Sequence, residues 1–122
     1  MLLLVSTACN SRNTAENEWI PLFNGKDLSG WTPKFYHHEV GENYADTFRV
    51  QDSSIVVAYD NYDSFDETYG HLFYDEAFAS FHLKFKYRFT DEWMEDAPSY
   101  TYRNSGVMFH SQAPETILKE QD

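Results

Sequence analysis

The sequence predicts an all-β protein, an antiparallel β-sandwich or barrel, on three observations. No stretch of the chain keeps a helical period of apolar residues over several turns. Short aromatic and β-branched runs instead alternate with Gly, Asn, Asp and Ser, which favour turns. The clearest run is FHLKFKYRF, residues 81–89, in which every second residue is apolar. That alternation is typical of a strand with one buried face.

Composition limits the class of protein and of partner. The 122 residues are 42% hydrophobic and 18% aromatic, which fits a single folded domain rather than a disordered chain. Acidic residues outnumber basic ones by 20 to 9, giving a net charge of -11. Nucleic acid is therefore not an expected partner, because phosphate binding needs a dense cationic surface. The acidity suits a neutral ligand, although solubility alone would also explain it. The oligomeric state stays open.

The first nine residues, MLLLVSTAC, resemble the end of a bacterial lipoprotein signal. Small residues follow an apolar run and directly precede Cys9, the only cysteine and the candidate lipidation site. The run has no charged n-region and is too short to span a bilayer, which favours a start inside the true signal. Residues 10–18 then read as a polar tether, so we expect a cell-envelope lipoprotein, periplasmic or on the outer membrane, that meets the membrane through this anchor alone. A soluble protein with an accidental apolar start is the alternative.

Two turns are expected early in the folded part of the chain, which begins at Trp19. In EWIPLFNGKDLSGW, Asn24-Gly25 marks a turn between two apolar stretches. In TFRVQDSSIVVAY, residues 48–50 and 55–59 predict a hairpin around the turn-forming residues 52–54. The sequence therefore predicts a turn at Asn24-Gly25 and a hairpin within residues 48–59.

Two further strands are expected at residues 81–89 and 105–111. In the first, the apolar residues fall on one face and Lys84, Lys86 and Arg88 on the other. In the second, the core positions are Val107 and Phe109, and His110 points the other way with Met108. If the two strands pair, Lys86 and Arg88 share a face with His110. An ordinary solvated outer face is the plainer interpretation of the same charges.

Four motifs, in this order, resemble the 3-keto-disaccharide hydrolase domain family: LFNGKDLSGW (22–31), FRVQDSSI (48–55), GHLFYDEAFASFHLKFKYRF (70–89) and NSGVMFHS (104–111). The resemblance covers nearly all of the chain from Trp19 to Gln112 and implies a concanavalin A-like jelly roll of two stacked antiparallel sheets. Such domains run to roughly 200 residues. Residues 19–122 are therefore expected to be the N-terminal part of the sandwich, apparently truncated, and prone to aggregate through uncovered faces. Many relatives carry arginine at the position of His110.

The resemblance also implies a carbohydrate ligand and a reaction. A ketone at C3 of a sugar acidifies the proton at C2, and a base removes that proton to form an enolate. Loss of the C1 substituent and addition of water then cleave the glycosidic bond. His110 is the candidate base, and Lys86, Arg88 or a divalent metal is the candidate for stabilising the enolate. The candidate substrate contacts are Trp31, Tyr74, Asn104 and Arg103.

Several of these residues have a purely structural alternative. Trp31 could belong to the core, and Asn104 with its neighbours could shape the start of a strand. His37 and His38 form a tempting metal pair, but adjacent side chains in a strand point to opposite faces, so no metal ligands are assigned. The acidic loop at residues 60–67 does not have the spacing of a calcium-binding EF-hand loop.

Three functions from different classes remain open at this stage. The first is an enzyme that cleaves 3-keto-glycosides or related glycosides. The second is a carbohydrate-binding module that holds sugar without chemistry, and the third is a structural surface lipoprotein. Loss of turnover with affinity kept in a His110 variant would favour the enzyme.

Overall fold

The computed structural model describes residues 19–121, and this part of the chain is all-β. Three 3₁₀ turns of three residues are the only helical segments within it. None of them has the length or the apolar character needed to cross a bilayer. The predicted lipidation site Cys9 and the predicted tether 10–18 lie outside the described residues. The strands, in chain order, are β1 (Trp31–Phe35), β2 (Phe48–Gln51), β3 (Ser54–Val57) and β4 (Gly70–Tyr74).

The strands form two antiparallel pairs, β1 with β4 and β2 with β3. In the first pair, Trp31 lies opposite Tyr74 and Phe35 lies opposite Gly70. The absence of a side chain at residue 70 leaves room for the aromatic ring, because a Cβ there would lie 2.3 Å from Phe35 Cε1. Gly70 therefore allows a large ring to cover the neighbouring strand.

The predicted turn at Asn24-Gly25 is confirmed by its hydrogen bonds. Asn24 Oδ1 accepts from the backbone N–H groups of Lys26 and Asp27 at 2.8 and 3.0 Å, and Gly25 has a φ of 75°. Asp27 Oδ1 accepts from the backbone N–H of Ser29 at 2.9 Å and from Asn24 Nδ2 at 2.7 Å. Side chains thus satisfy the backbone where no strand ladder exists and lead the chain into β1.

These hydrogen bonds predict a contribution of Asp27 to stability that acid removes. Hydrogen bonds from the Ser29 side chain, the Asn24 side chain and the Ser29 backbone lower the pKa of Asp27 from 3.8 to about 2. Because the pKa falls on folding, the ionised carboxylate stabilises the fold above pH 3.8, and this contribution is lost as the pH falls towards 2. We expect the urea unfolding midpoint of Asp27→Asn to fall less than that of the wild type as the pH is lowered from about 4 towards 2. An equal fall in the two proteins would contradict this role of Asp27.

Strands β2 and β3 confirm the predicted hairpin. Their register leaves Asp52 and Ser53 as a two-residue loop. Both residues have positive φ, 48° and 56°, as a type I′ turn requires, and this turn matches the twist of paired strands. The hairpin is shorter than predicted, since β3 ends at Val57 rather than Tyr59.

The left-handed backbone at Ser53 predicts that glycine is the better residue at this position. A side chain at positive φ is strained, and Asp-Gly is a preferred pair in type I′ turns. We expect Ser53→Gly to raise the free energy of unfolding by about 0.5–1 kcal/mol in urea titrations. The matched control is Ser54→Gly, which lies inside β3 and should lower it by a similar amount. A loss of stability in both variants would contradict the turn assignment.

The core lies where the two sheets meet. Phe35 of β1 is 1% exposed, and its ring centroid is 5.3 Å from that of Phe48 in β2. Burial of two such rings is the main apolar contribution that joins the sheets. Within residues 19–121, the other buried apolar side chains are small ones, Pro33, Ala58 and Ala97.

Lys34 is a buried cation beside this core. It is 1% exposed, and its Nζ donates to the backbone carbonyl of Phe35 at 2.5 Å and to that of Lys119 at 3.5 Å. The carbonyl of Lys119 also accepts from the backbone N–H of His37 at 2.9 Å. Backbone carbonyls therefore satisfy the buried ammonium and bind the end of the described chain to β1.

The strands predicted at residues 81–89 and 105–111 are wrong for this structure. Neither segment belongs to a sheet, and every residue of both is exposed. A strand needs a paired neighbour and a cover for its apolar face, and the rest of residues 19–121 supplies neither. Alternate side chains of the first segment still lie next to one another. The ring centroids of Phe85 and Tyr87 are 5.8 Å apart, and those of Tyr87 and Phe89 are 5.6 Å apart.

His110 departs from the predicted alternation for a further reason. Its φ of 58° lies in the left-handed region, whereas a strand residue has strongly negative φ. The backbone therefore turns at His110, and the two-residue period does not place its side chain on the face of Met108.

The exposed segment at residues 81–89 predicts self-association of the 122-residue chain. Phe85 is 55% exposed and Tyr87 is 72% exposed, within a continuous apolar row. We expect the double variant Phe85→Lys, Tyr87→Lys to shift sedimentation towards monomer. The control Ser80→Lys, Ser111→Lys changes the charge equally at exposed polar sites and should leave association largely unchanged. A wild-type chain that sediments as a monomer would contradict this prediction.

Candidate functional site

A continuous row of aromatic rings runs from the β1–β4 pair to the segment that carries His110. Successive ring centroids lie 5.2, 5.9, 6.1 and 5.6 Å apart. The first contact is edge-to-face, and the second is nearly parallel with an interplanar angle of 10°. We call this set the aromatic row; its members, in order, are Trp31, Tyr74, Phe78, Phe81 and Phe109.

The start of the aromatic row is fixed by the fold. Trp31 and Tyr74 are register partners across β1 and β4, and both are half-buried. Trp31 Nε1 donates to the backbone carbonyl of Leu22 at 2.9 Å. Trp31 therefore has the structural role that the sequence left open, while its contact with Tyr74 makes it the first ring of the aromatic row.

The far end of the aromatic row is open to solvent. Phe78, Phe81 and Phe109 are 39%, 48% and 55% exposed. Sequence reasoning placed Phe81 and Phe109 in the core and did not single out Phe78. The alternating pattern shows which residues share a face, but it does not show whether another layer covers that face. Exposed aromatic rings in a row can stack against an apolar face of a ligand.

The three predicted catalytic residues are all exposed. His110 directly follows Phe109, the last ring of the aromatic row, whereas Lys86 and Arg88 lie in the segment that begins with Phe81. Among residues 19–121, none of these three side chains makes a hydrogen bond or an ion pair. The Phe81–Phe109 contact brings their two segments together at one point.

Arg103 and Asn104, predicted to bind substrate, lie in a turn that has its own contacts. Arg103 forms an ion pair with Asp91, and its guanidinium lies 5.2 Å from the Tyr102 ring centroid. The hydrogen bond to Asp91 raises the pKa of Arg103 above its ordinary value. The backbone N–H of Asn104 donates to the carbonyl of Thr101 at 3.2 Å. Both residues therefore have local structural roles at this turn.

The histidine pair considered as a metal site is divided between two partners. His37 Nδ1 lies 2.6 Å from Glu120, and His38 Nδ1 lies 2.7 Å from Glu42. Residues 19–121 contain no group of three or more His, Cys, Asp or Glu side chains that could hold a metal ion. These residues alone therefore do not make a donor set for the divalent metal considered above, and no reaction step is assigned to one.

The fold places the chain among β-rich domains, and comparison with known families identifies the family. The family model described as the 3-keto-alpha-glucoside-1,2-lyase-like domain matches residues 18–121. The chain belongs to this family, which confirms the resemblance drawn from its motifs. No curated protein and no solved structure matches the chain.

Proposed function

We propose that this domain cleaves 3-keto-glycosides by elimination and hydration. A base removes the proton at C2, and the electron pair of that C–H bond moves to the C3 oxygen as an enolate. The enolate then expels the C1 oxygen substituent, which takes up a proton, and water adds across the new double bond. This route does not need the paired carboxylates of ordinary glycosidases.

The observation that carries this proposal is the aromatic row ending directly before His110. Aromatic rings provide a platform for the apolar face of a sugar, and histidine is the side chain that exchanges protons near neutral pH. His110 is exposed, so a ligand on the rings of Phe81 and Phe109 can reach it. His110 is the proposed base, and these rings hold the sugar.

Lys86 and Arg88 are the proposed partners of the enolate oxygen. They carry positive charge on the segment whose first ring contacts Phe109. Both side chains are exposed, so a sugar that lies on the rings of Phe81 and Phe109 can also meet a cation of this segment. Charge that develops on the C3 oxygen would then be stabilised where it forms.

The test of the proposed function is turnover. The protein is incubated with a 3-keto-glucoside that carries a chromogenic aglycone, and release of the aglycone is followed. The parent glucoside, which has a hydroxyl at C3, is the control, because its C2 proton is not acidified. Cleavage of the keto substrate alone is the expected result. Equal cleavage of both substrates, or of neither, would overturn the elimination mechanism.

A second candidate is a carbohydrate-binding module. The observation that favours it is that the segments expected to bring Lys86 and Arg88 beside His110 do not pair as strands within residues 19–121. The aromatic row is complete without them and would bind sugar with no chemistry. Binding of the 3-keto-glucoside without turnover, weakened by Phe109→Ala, would favour this candidate.

We also propose that Cys9 is lipidated and that the domain is held at the bacterial cell envelope. Small residues before the cysteine and the polar stretch 10–18 after it support this proposal. Expression of the full chain with a radiolabelled fatty acid should give a labelled protein in the membrane fraction. A Cys9→Ser variant that is labelled equally would contradict it.

A further inference from the structure

Two open clefts adjoin along strand β2. Their volumes are about 570 and 500 Å³, within the range of small-molecule sites. Arg49 and Gln51 line both clefts, so the two clefts meet at these side chains. We call this surface the β2 groove. It shares no residue with the aromatic row.

Aromatic side chains held in fixed positions form one end of the β2 groove. Trp93 Nε1 donates to Thr101 Oγ1 at 2.9 Å, and the hydroxyl of Tyr62 shares a hydrogen bond of 2.7 Å with Thr47 Oγ1. Tyr59 lies beside them, and burial, then the charge of Glu92, raises its pKa. These contacts hold the rings in place before a ligand arrives, which lowers the entropy cost of binding.

The centre of the β2 groove holds hydrogen-bonding groups without partners. Arg49 Nε lies 3.0 Å from Asp46, and Nη1 lies 2.7 Å from Asp60, so the guanidinium is fixed on two sides. Its third nitrogen, Nη2, is buried and has no partner among the described residues. The side-chain amide of Gln51 likewise makes no hydrogen bond within residues 19–121. Because Nη2 is buried, a ligand in the groove meets the exposed amide of Gln51, which can donate to a hydroxyl oxygen.

Charge selects which hydroxylated ligands fit. The cleft with the aromatic wall has one cation, Arg49, against four carboxylates. Arg49 is already paired with Asp46 and Asp60, so an anionic ligand would meet net repulsion. Carboxylate oxygens instead accept hydrogen bonds from hydroxyl groups. The acidic residues of this cleft are Asp60, Glu92, Asp96 and Glu95.

We propose that the β2 groove binds a neutral oligosaccharide. Rings at one end stack on a sugar unit, the Gln51 amide meets a hydroxyl oxygen, and carboxylates accept hydrogen bonds from hydroxyl groups. The two clefts meet at Arg49 and Gln51, and their combined volume has room for more than one sugar unit. The choice of a sugar rests on the proposed function, whereas the preference for a neutral ligand comes from the charges of the groove itself.

The test is a glycan array that carries neutral oligosaccharides beside uronic-acid oligosaccharides. The variants are Gln51→Ala, which removes a surface amide, and Trp93→Ala, which removes an aromatic wall. Gln112→Ala is the matched control, because this exposed glutamine lies outside the groove. We expect wild type and control to retain neutral oligosaccharides, and each groove variant to lose about tenfold or more in affinity. Near-ultraviolet circular dichroism checks that the variants are folded.

Three outcomes would overturn the proposal: preference for uronic acids, no neutral oligosaccharide bound, or affinity unchanged in Gln51→Ala and a folded Trp93→Ala. The proposed function fails separately. If the 3-keto-glucoside is cleaved but the groove variants bind the array as the wild type does, the groove proposal is contradicted and the proposed function is not. If the groove variants lose array binding and the wild type does not cleave the 3-keto-glucoside, the groove proposal is supported and the proposed reaction is contradicted.

Discussion

Gly70→Ala should destabilise the fold by about 2 kcal/mol or more, because it forces a methyl group into the ring of Phe35. The added Cβ would lie 2.3, 2.6 and 3.0 Å from three carbons of that ring. Phe35 cannot move aside easily, since it is 1% exposed and packs against Phe48, with ring centroids 5.3 Å apart. The free energy of unfolding in urea measures the effect.

The matched control is Gly106→Ala. No atom lies within 4 Å of a Cβ built at Gly106, and its φ is not positive, so we expect a change within about 0.5 kcal/mol. A double-mutant cycle isolates the clash: in a Phe35→Leu background, Gly70→Ala should cost less than in the wild type. Equal costs in both backgrounds would show that the ring is not the cause, and a neutral Gly70→Ala would contradict the register of β1 and β4.

Local structure in this chain could be predicted because neighbouring residues determine it. The turn at Asn24-Gly25 depends on side chains that bond the backbone two or three residues away. The hairpin loop at Asp52-Ser53 depends on two residues that accept positive φ. Both signals act within a few residues, so the sequence alone contains the physical cause.

Pairing over long sequence distances could not be predicted in the same way. The Phe35–Gly70 contact joins residues that are far apart in the sequence, and the residues around either one do not specify the other. Lys34 is buried because backbone carbonyls accept from it, a cause that composition does not reveal. The segment 81–89 was predicted to be a strand from its alternation of apolar and polar residues. The alternation is present in the sequence, but no neighbouring strand pairs with the segment among residues 19–121.

The candidate site was predicted in part for the same reasons. Trp31 and Tyr74 were singled out separately, and the register of β1 and β4 places them in contact. The remaining rings of the aromatic row were assigned to the core or passed over, because exposure is a property of the whole fold. His110 was chosen for its chemistry, and its left-handed backbone was not foreseen, since non-glycine residues rarely adopt it.

His110→Ala should lower kcat for cleavage of a 3-keto-glucoside by about 10²–10⁴-fold, the usual contribution of a general base, and leave KM nearly unchanged. The rings of the aromatic row would still hold the sugar, because they do not depend on the imidazole. His110→Arg is the decisive second variant. It places a permanent cation at the position that cannot accept a proton near neutral pH, since arginine stays charged.

A base and a cationic contact therefore give opposite results in these two variants. If His110 removes the C2 proton, the arginine variant is as inactive as the alanine variant. If the position only attracts the enolate, arginine restores the rate and alanine does not, which would transfer the role of base to another residue. His37→Ala is the control, because that exposed histidine pairs with Glu120 and lies outside the aromatic row. An equal loss of turnover in the control would mean that both changes act through folding rather than through the reaction.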